Sequence, residues 1–126
     1  MNNLLWEEIV KFHGHECPGI AIGFKVCEAI KSKINIDENI VCISENNSCP
    51  IDAVKYIFNF DYKKGNLILR EDKDLAFNII DKKNGKSFRV VYKGKNNYNT
   101  KKEYINYILK AHINELFDFT EVKYNL

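Results

Sequence analysis

Apolar positions recur along this chain with two different periods, and the changes of period mark out its elements. Leu4, Leu5, Ile9 and Phe12 follow helical spacing, with Asn3 placed to cap that helix. Gly14 breaks the pattern, and Pro18-Gly19 restarts it. Ile20, Phe24, Val26, Cys27 and Ile30 predict a largely buried helix to about Lys33. Ala21 and Gly23 on it leave room for a neighbouring backbone. After the polar break Asn35 to Asn39, the run Ile40-Val41-Cys42-Ile43 reads as an interior strand, being short and β-branched. The polar stretch Ser44 to Ser48 is a loop. Pro50 opens a helix with Ala53, Val54 and Ile57 along one face. A turn at Tyr62 to Gly65 leads to three strand patterns, Asn66 to Arg70, Leu75 to Ile80 and Ser87 to Tyr92. Asn84-Gly85 between the last two is a hairpin signal. An antiparallel meander is expected. Thr100 caps a last helix from about Lys101 to Glu115, and Phe117 to Tyr124 reads as an edge strand.

The order helix, helix, strand, helix, three strands, helix predicts an α+β fold with helices packed on a mixed sheet. At 126 residues the chain suits one domain, 1-126, with a core of useful size. No long linker and no internal repeat divides it.

Composition removes several classes of function. The formal charge is only +2, and the most basic stretch, Lys93 to Lys102, is spaced with asparagines. It lacks the dense Arg and aromatic interleaving of a nucleic-acid surface, so no nucleic-acid partner is expected. No apolar run approaches the roughly 20 residues of a membrane span. The first ten residues carry Glu7 and Glu8 and no basic segment, unlike a signal peptide. A cytoplasmic location is therefore expected. There the four cysteines should be free, metal-bound or catalytic.

Chemistry concentrates in Phe12-His13-Gly14-His15-Glu16-Cys17-Pro18-Gly19. His13, His15 and Cys17 occupy alternate positions, so an extended segment would turn all three to one side. Imidazole plus thiolate is a ligand set for zinc and similar divalent metals. The same groups serve thiol chemistry, in which histidine helps ionise cysteine. A second cysteine repeats the local grammar: Cys49-Pro50-Ile51-Asp52-Ala53. Proline is tolerated at the first position of a helix, which places Cys17 and Cys49 each at a predicted N-cap. Free backbone donors and the helix dipole favour a thiolate there. Convergence of the two helix starts would unite His13, His15, Cys17 and Cys49 in one site, with Glu45 and Asn47 lining the same cleft. Asp52 reads first as an acid completing the start of its helix and not as a catalytic group; orienting a ligand is the alternative left open to it. Cys27 and Cys42 lie in apolar stretches and read as core residues. His112 reads as a packed or surface histidine. No Cys-x-x-Cys pair, phosphate-binding glycine loop or dinucleotide fingerprint occurs.

Taken together, these residues resemble the FmdE family, which takes its name from formylmethanofuran dehydrogenase. Three blocks carry the resemblance in the family's order: residues 12–19 with Gly23 after them, Glu45 through Val54, and Lys64-Gly65-Asn66-Leu67 followed by Phe88-Arg89-Val90. The first is highly specific. The resemblance implies a thioredoxin-like α+β core with a mixed sheet and flanking helices, and a homodimer. It implies a metal or redox site on His13, His15, Cys17 and Cys49, with zinc the default metal. An association with a molybdenum or tungsten oxidoreductase complex of anaerobic metabolism follows from the family name. Relatives that carry a C-terminal zinc finger have further cysteines; none follows Cys49 here, so only the core domain is expected. Where relatives read Gly-Cys-Thr, this chain has Asn59-Phe60-Asp61. Three readings follow. One is a metal-binding accessory protein. Another is a thiol enzyme, with Cys17 the nucleophile, His13 or His15 the base and Cys49 the resolving thiol. The third is an interaction subunit with a structural site.

Overall fold

Strand β1, Ile40–Ser44, is buried along its whole length, and its unbroken apolar run serves both faces of a sheet. Ile40 and Cys42 join the main core, whereas Val41 and Ile43 belong to a smaller cluster on the opposite face. The computed structural model describes residues 3–126. Its elements are α1 (Asn3–His13), α2 (Pro18–Lys31), β1, α3 (Pro50–Phe58), β2 (Leu67–Leu69), β3 (Ala76–Asp81), β4 (Ser87–Tyr92), α4 (Lys101–Lys110), α5 (Ile113–Leu116) and β5 (Phe117–Thr120). The fold is α+β, with a five-stranded mixed sheet in the order β2-β1-β3-β4-β5.

The expected meander is corrected in one place. β2 does not pair with β3. It runs parallel to β1, with Cys42 opposite Leu67, and β1 lies between β2 and β3. A parallel neighbour needs a long crossover, and α3 supplies it. β3 and β4 form the hairpin that Asn84-Gly85 predicts, with Gly85 at φ +77°. β5 closes the far edge antiparallel to β4, Val90 opposite Phe119, but ends at Thr120 rather than Tyr124.

Two helix boundaries also differ. α1 begins at Asn3 itself, so the preceding cap position lies outside the described residues. The predicted last helix breaks after Lys110. Ala111 and His112 are extended, and a single further turn, α5, redirects the chain into β5. His112 is exposed, as expected.

The helices cover one face of the sheet. α2 is central and buried along most of its length; even Lys25 is only 4% exposed, its ammonium 3.1 Å from Glu28. Cys27 on α2 and Cys42 on β1 are core residues, and burial pushes both thiols well up. The opposite face is covered differently. The chain after β5 crosses it, with Val122 and Tyr124 packed on Val41, Ile43 and Ile80.

Candidate metal centre

Local sequence places each candidate ligand by a separate device. Cys17 has extended backbone and caps α2, its sulfur accepting from the Ile20 N–H at 3.4 Å. Pro18 fits the first helical position behind it. His13 stands in the last turn of α1, four residues before Cys17. Its Nε2 lies 3.6 Å from Cys17 Sγ, and its Nδ1 lies 2.7 Å from Asp52 Oδ2 on α3. Gly14, at φ +103°, turns the chain out of α1 and brings the His15 ring to 4.5 Å from that of His13.

Cys49 arrives because two helices approach unusually closely. Gly19 and Gly23 lie one turn apart on α2 and face the start of α3. A Cβ on Gly19 would stand 2.7 Å from Cys49 Cβ, and one on Gly23 would stand 2.6 Å from the Pro50 carbonyl oxygen. Only glycine leaves that space. The ligand atoms of His13, His15, Cys17 and Cys49 consequently lie within 4.8 Å of one another. Zinc binds sulfur at about 2.3 Å and imidazole nitrogen at about 2.0 Å, so the ligand atoms of a tetrahedral site stand roughly 3.3–3.8 Å apart. The 4.8 Å limit of this group is about 1 Å wider, and its two imidazoles and two thiols are chemically suited to a borderline-soft divalent metal.

The Cys49 expectation needs one correction. Its backbone is helical (φ −46°, ψ −40°) and its side chain accepts no capping hydrogen bond. The turn has already wound one residue earlier, since the Ser48 and Cys49 carbonyls accept from Ile51 and Asp52 at 3.1 Å each. The sulfur forms no cap bond to the free N–H groups of α3, and its side-chain hydrogen-bond neighbour is Cys17. Burial pushes the Cys49 thiol up, and the neighbouring Cys17 sulfur adds to that. A bound cation reverses this balance, because a coordinating thiol is deprotonated.

The family pattern described as FmdE, Molybdenum formylmethanofuran dehydrogenase operon, matches residues 12–118. The chain belongs to the FmdE family. A crystal structure from Syntrophus aciditrophicus, of a tungsten formylmethanofuran dehydrogenase FmdE-like protein, supports the same conclusion. It aligns with a TM-score of 0.72 at 25% identity, covering 93% of this chain and 70% of that one. A curated relative from Archaeoglobus fulgidus is described as a probable S-adenosyl-L-methionine-binding protein. It is 28% identical over 94 residues, which is 68% of this chain and 26% of that protein. The FmdE chain thus spans about a quarter of that relative's length.

Within this FmdE core, Glu45 and Asn47 do not behave alike, and Glu45 is not part of the cleft. Following the alternation of β1, Glu45 points to the face opposite the helices. There it is fully buried and held by Arg89 at 2.7 and 2.9 Å and by Asn78 at 2.8 Å. Asn47 is exposed, and its side chain makes no hydrogen bond among the described residues. Asp52 reads from the sequence as a helix-start acid; the structure adds its bond to His13. Gly19 is the residue that sequence reasoning misses, although its spacing of four from Gly23 is the signal of a close helix contact.

Proposed function

We propose that this FmdE core binds one divalent metal ion, zinc by preference, through His13, His15, Cys17 and Cys49. The observation that carries the proposal is the convergence of these four ligand atoms within 4.8 Å, with the second nitrogen of His13 tied to Asp52. Such a carboxylate fixes the histidine tautomer and orients the ring for a metal. His13 then presents Nε2, while Cys17 and Cys49 supply two negative charges that match a dication. A bound metal would supply Lewis-acid character and hold the two helix starts together. The family's operon description and the tungsten-enzyme name of the similar crystal structure support an accessory role beside a molybdenum or tungsten oxidoreductase, and we assign the chain that role; a cytoplasmic location and a homodimer are part of the same proposal.

The second reading rests on the same Asp52–His13–Cys17 line, with Nδ1 at 2.7 Å from the carboxylate and Nε2 at 3.6 Å from the sulfur. This arrangement suits a thiolate nucleophile with an oriented base. Cys17 would attack a substrate disulfide and release one thiolate. Cys49 would then attack the mixed disulfide, releasing the second thiol. The substrate is reduced and a Cys17–Cys49 disulfide forms.

Elemental analysis of anaerobically purified protein separates the two, with Cys17→Ser and Cys49→Ser alongside. The metal reading expects close to one equivalent in the wild type and loss in both variants. Metal-free wild type with one rapidly alkylated thiol, and a Cys17–Cys49 disulfide on oxidation, would replace it with the thiol reading.

A further inference from the structure

We propose that His15 is the exchangeable ligand of this centre. An external imidazole or thiolate from a metal acceptor takes its place, while His13, Cys17 and Cys49 remain. The inference rests on the metal reading above and deepens it.

The four ligands are held very unequally. Cys17 is 7% exposed and fixed at the start of α2, where the Ile20 N–H reaches its sulfur. Cys49 is wedged against Gly19, with Pro50 of the same turn packed on Gly23. The His13 side chain is 9% exposed and bonded to Asp52. His15 differs from all three. It belongs to neither helix and sits in the bend between them. It follows Gly14, whose surroundings are open: a Cβ there would meet nothing within 4 Å. Its side chain is exposed, and its ring contact is His13. Among the described residues, neither of its ring nitrogens has a hydrogen-bond partner.

A ligating histidine is normally fixed through its other nitrogen, and that second bond holds the ring in place. His15 has no such restraint, so its ring can rotate into water at the cost of one bond. Four ligands complete a tetrahedral site, and exchange needs one of them to yield. His15 also faces solvent, the side from which another donor arrives. In the exchange one donor leaves and one enters, so the ligand number is unchanged and no electron is transferred.

Cobalt(II) as the probe tests this without any assay of activity. Wild type, His15→Ala and His13→Ala are loaded with cobalt and their visible absorption bands recorded, with folding checked by circular dichroism. We expect one equivalent in the wild type and in His15→Ala, and loss of cobalt in His13→Ala. The His15→Ala bands should differ from wild type and return toward it with millimolar imidazole. Zinc-loaded His15→Ala should also pass its metal to a chromogenic chelator several-fold faster. Loss of cobalt in folded His15→Ala to the extent seen in His13→Ala would overturn the proposal and leave the metal reading intact. So would His15→Ala bands identical to wild type and indifferent to imidazole. Failure of the wild type to bind cobalt or zinc would overturn the metal reading, and this inference with it.

Discussion

Gly23→Ala tests the contact on which the whole site depends. The added Cβ would lie 2.6 Å from the Pro50 carbonyl oxygen, 2.8 Å from Pro50 Cα and 2.9 Å from Ala53 Cβ. Two of these are backbone atoms, which cannot swing aside. Relief therefore requires α3 to move back from α2 by several tenths of an ångström or more. Two effects oppose each other. Alanine is favoured over glycine in a helix by about 1 kcal/mol. Overpacking a filled interface costs about 1–3 kcal/mol, and three contacts this short put the cost at the upper end. The net expectation is a loss of about 1–2 kcal/mol. For a chain of 126 residues this lowers the melting temperature by roughly 3–8 °C. Thermal and urea unfolding should be run with a chelator present, because a bound metal would add its own stabilisation. Metal affinity is the second readout, since a retreat of α3 carries Cys49 away from Cys17. A variant that melts higher than wild type and binds metal equally well would refute the reasoning. Helix propensity would then be acting unopposed, and the close approach would not exist.

Further outcomes follow from other parts of the structure. Asp52→Asn should weaken zinc binding by about 10–100-fold in a chelator competition, with little change in the stability of the metal-free protein. Glu45→Ala should cost about 3–5 kcal/mol in urea unfolding, because Arg89 is left buried without its main partner. The metal content of folded Glu45→Ala should be unchanged, as the pair lies on the other face of the sheet. In metal-free native protein a thiol reagent should modify Cys49 and Cys17, with Cys27 and Cys42 reacting only after unfolding, since burial holds both as neutral thiols. The Asp72 carboxyl is held well below the usual carboxylate range by Lys123 at 2.5 Å and the Tyr124 hydroxyl at 2.7 Å. Its lowered value makes this anchor fully present above the unfolded carboxyl pKa of about 3.9 and lost as pH falls through the folded one. Asp72→Asn should release the C-terminal segment at neutral pH, seen as faster digestion by carboxypeptidase.

The two Cys-Pro helix starts and the histidines are legible in the sequence because each rule involved is local. Proline, glycine and the residues beside them constrain one turn of chain at a time. The features that mislead depend on partners distant in sequence. β2 looks like the first strand of a meander because Leu67–Leu69 sits near β3 in the chain, yet its neighbour is β1, reached across α3. The last helix reads through Ala111 and His112 because neither glycine nor proline marks the break. Its cause lies further on, where Leu116 and Phe117 must both enter the core. Glu45 reads as a cleft residue from its position after a strand. Extending the alternation of Val41 and Ile43 by one step sends it instead to the other face, beneath Arg89.

The chain after β5 has a consequence of its own. It works as a clasp: Lys123 and Tyr124 donate their N–H groups to Asn78 at 2.8 and 3.3 Å, and Val122 and Tyr124 shield Val41, Ile43 and Ile80. A clasp of so few contacts is the kind of unit that opens by itself, well before the protein unfolds. Each opening bares a small greasy window on an otherwise finished sheet. Crowded solutions should therefore drive this protein to stick to itself through that window, while the His/Cys group, on the opposite side of the sheet, stays assembled.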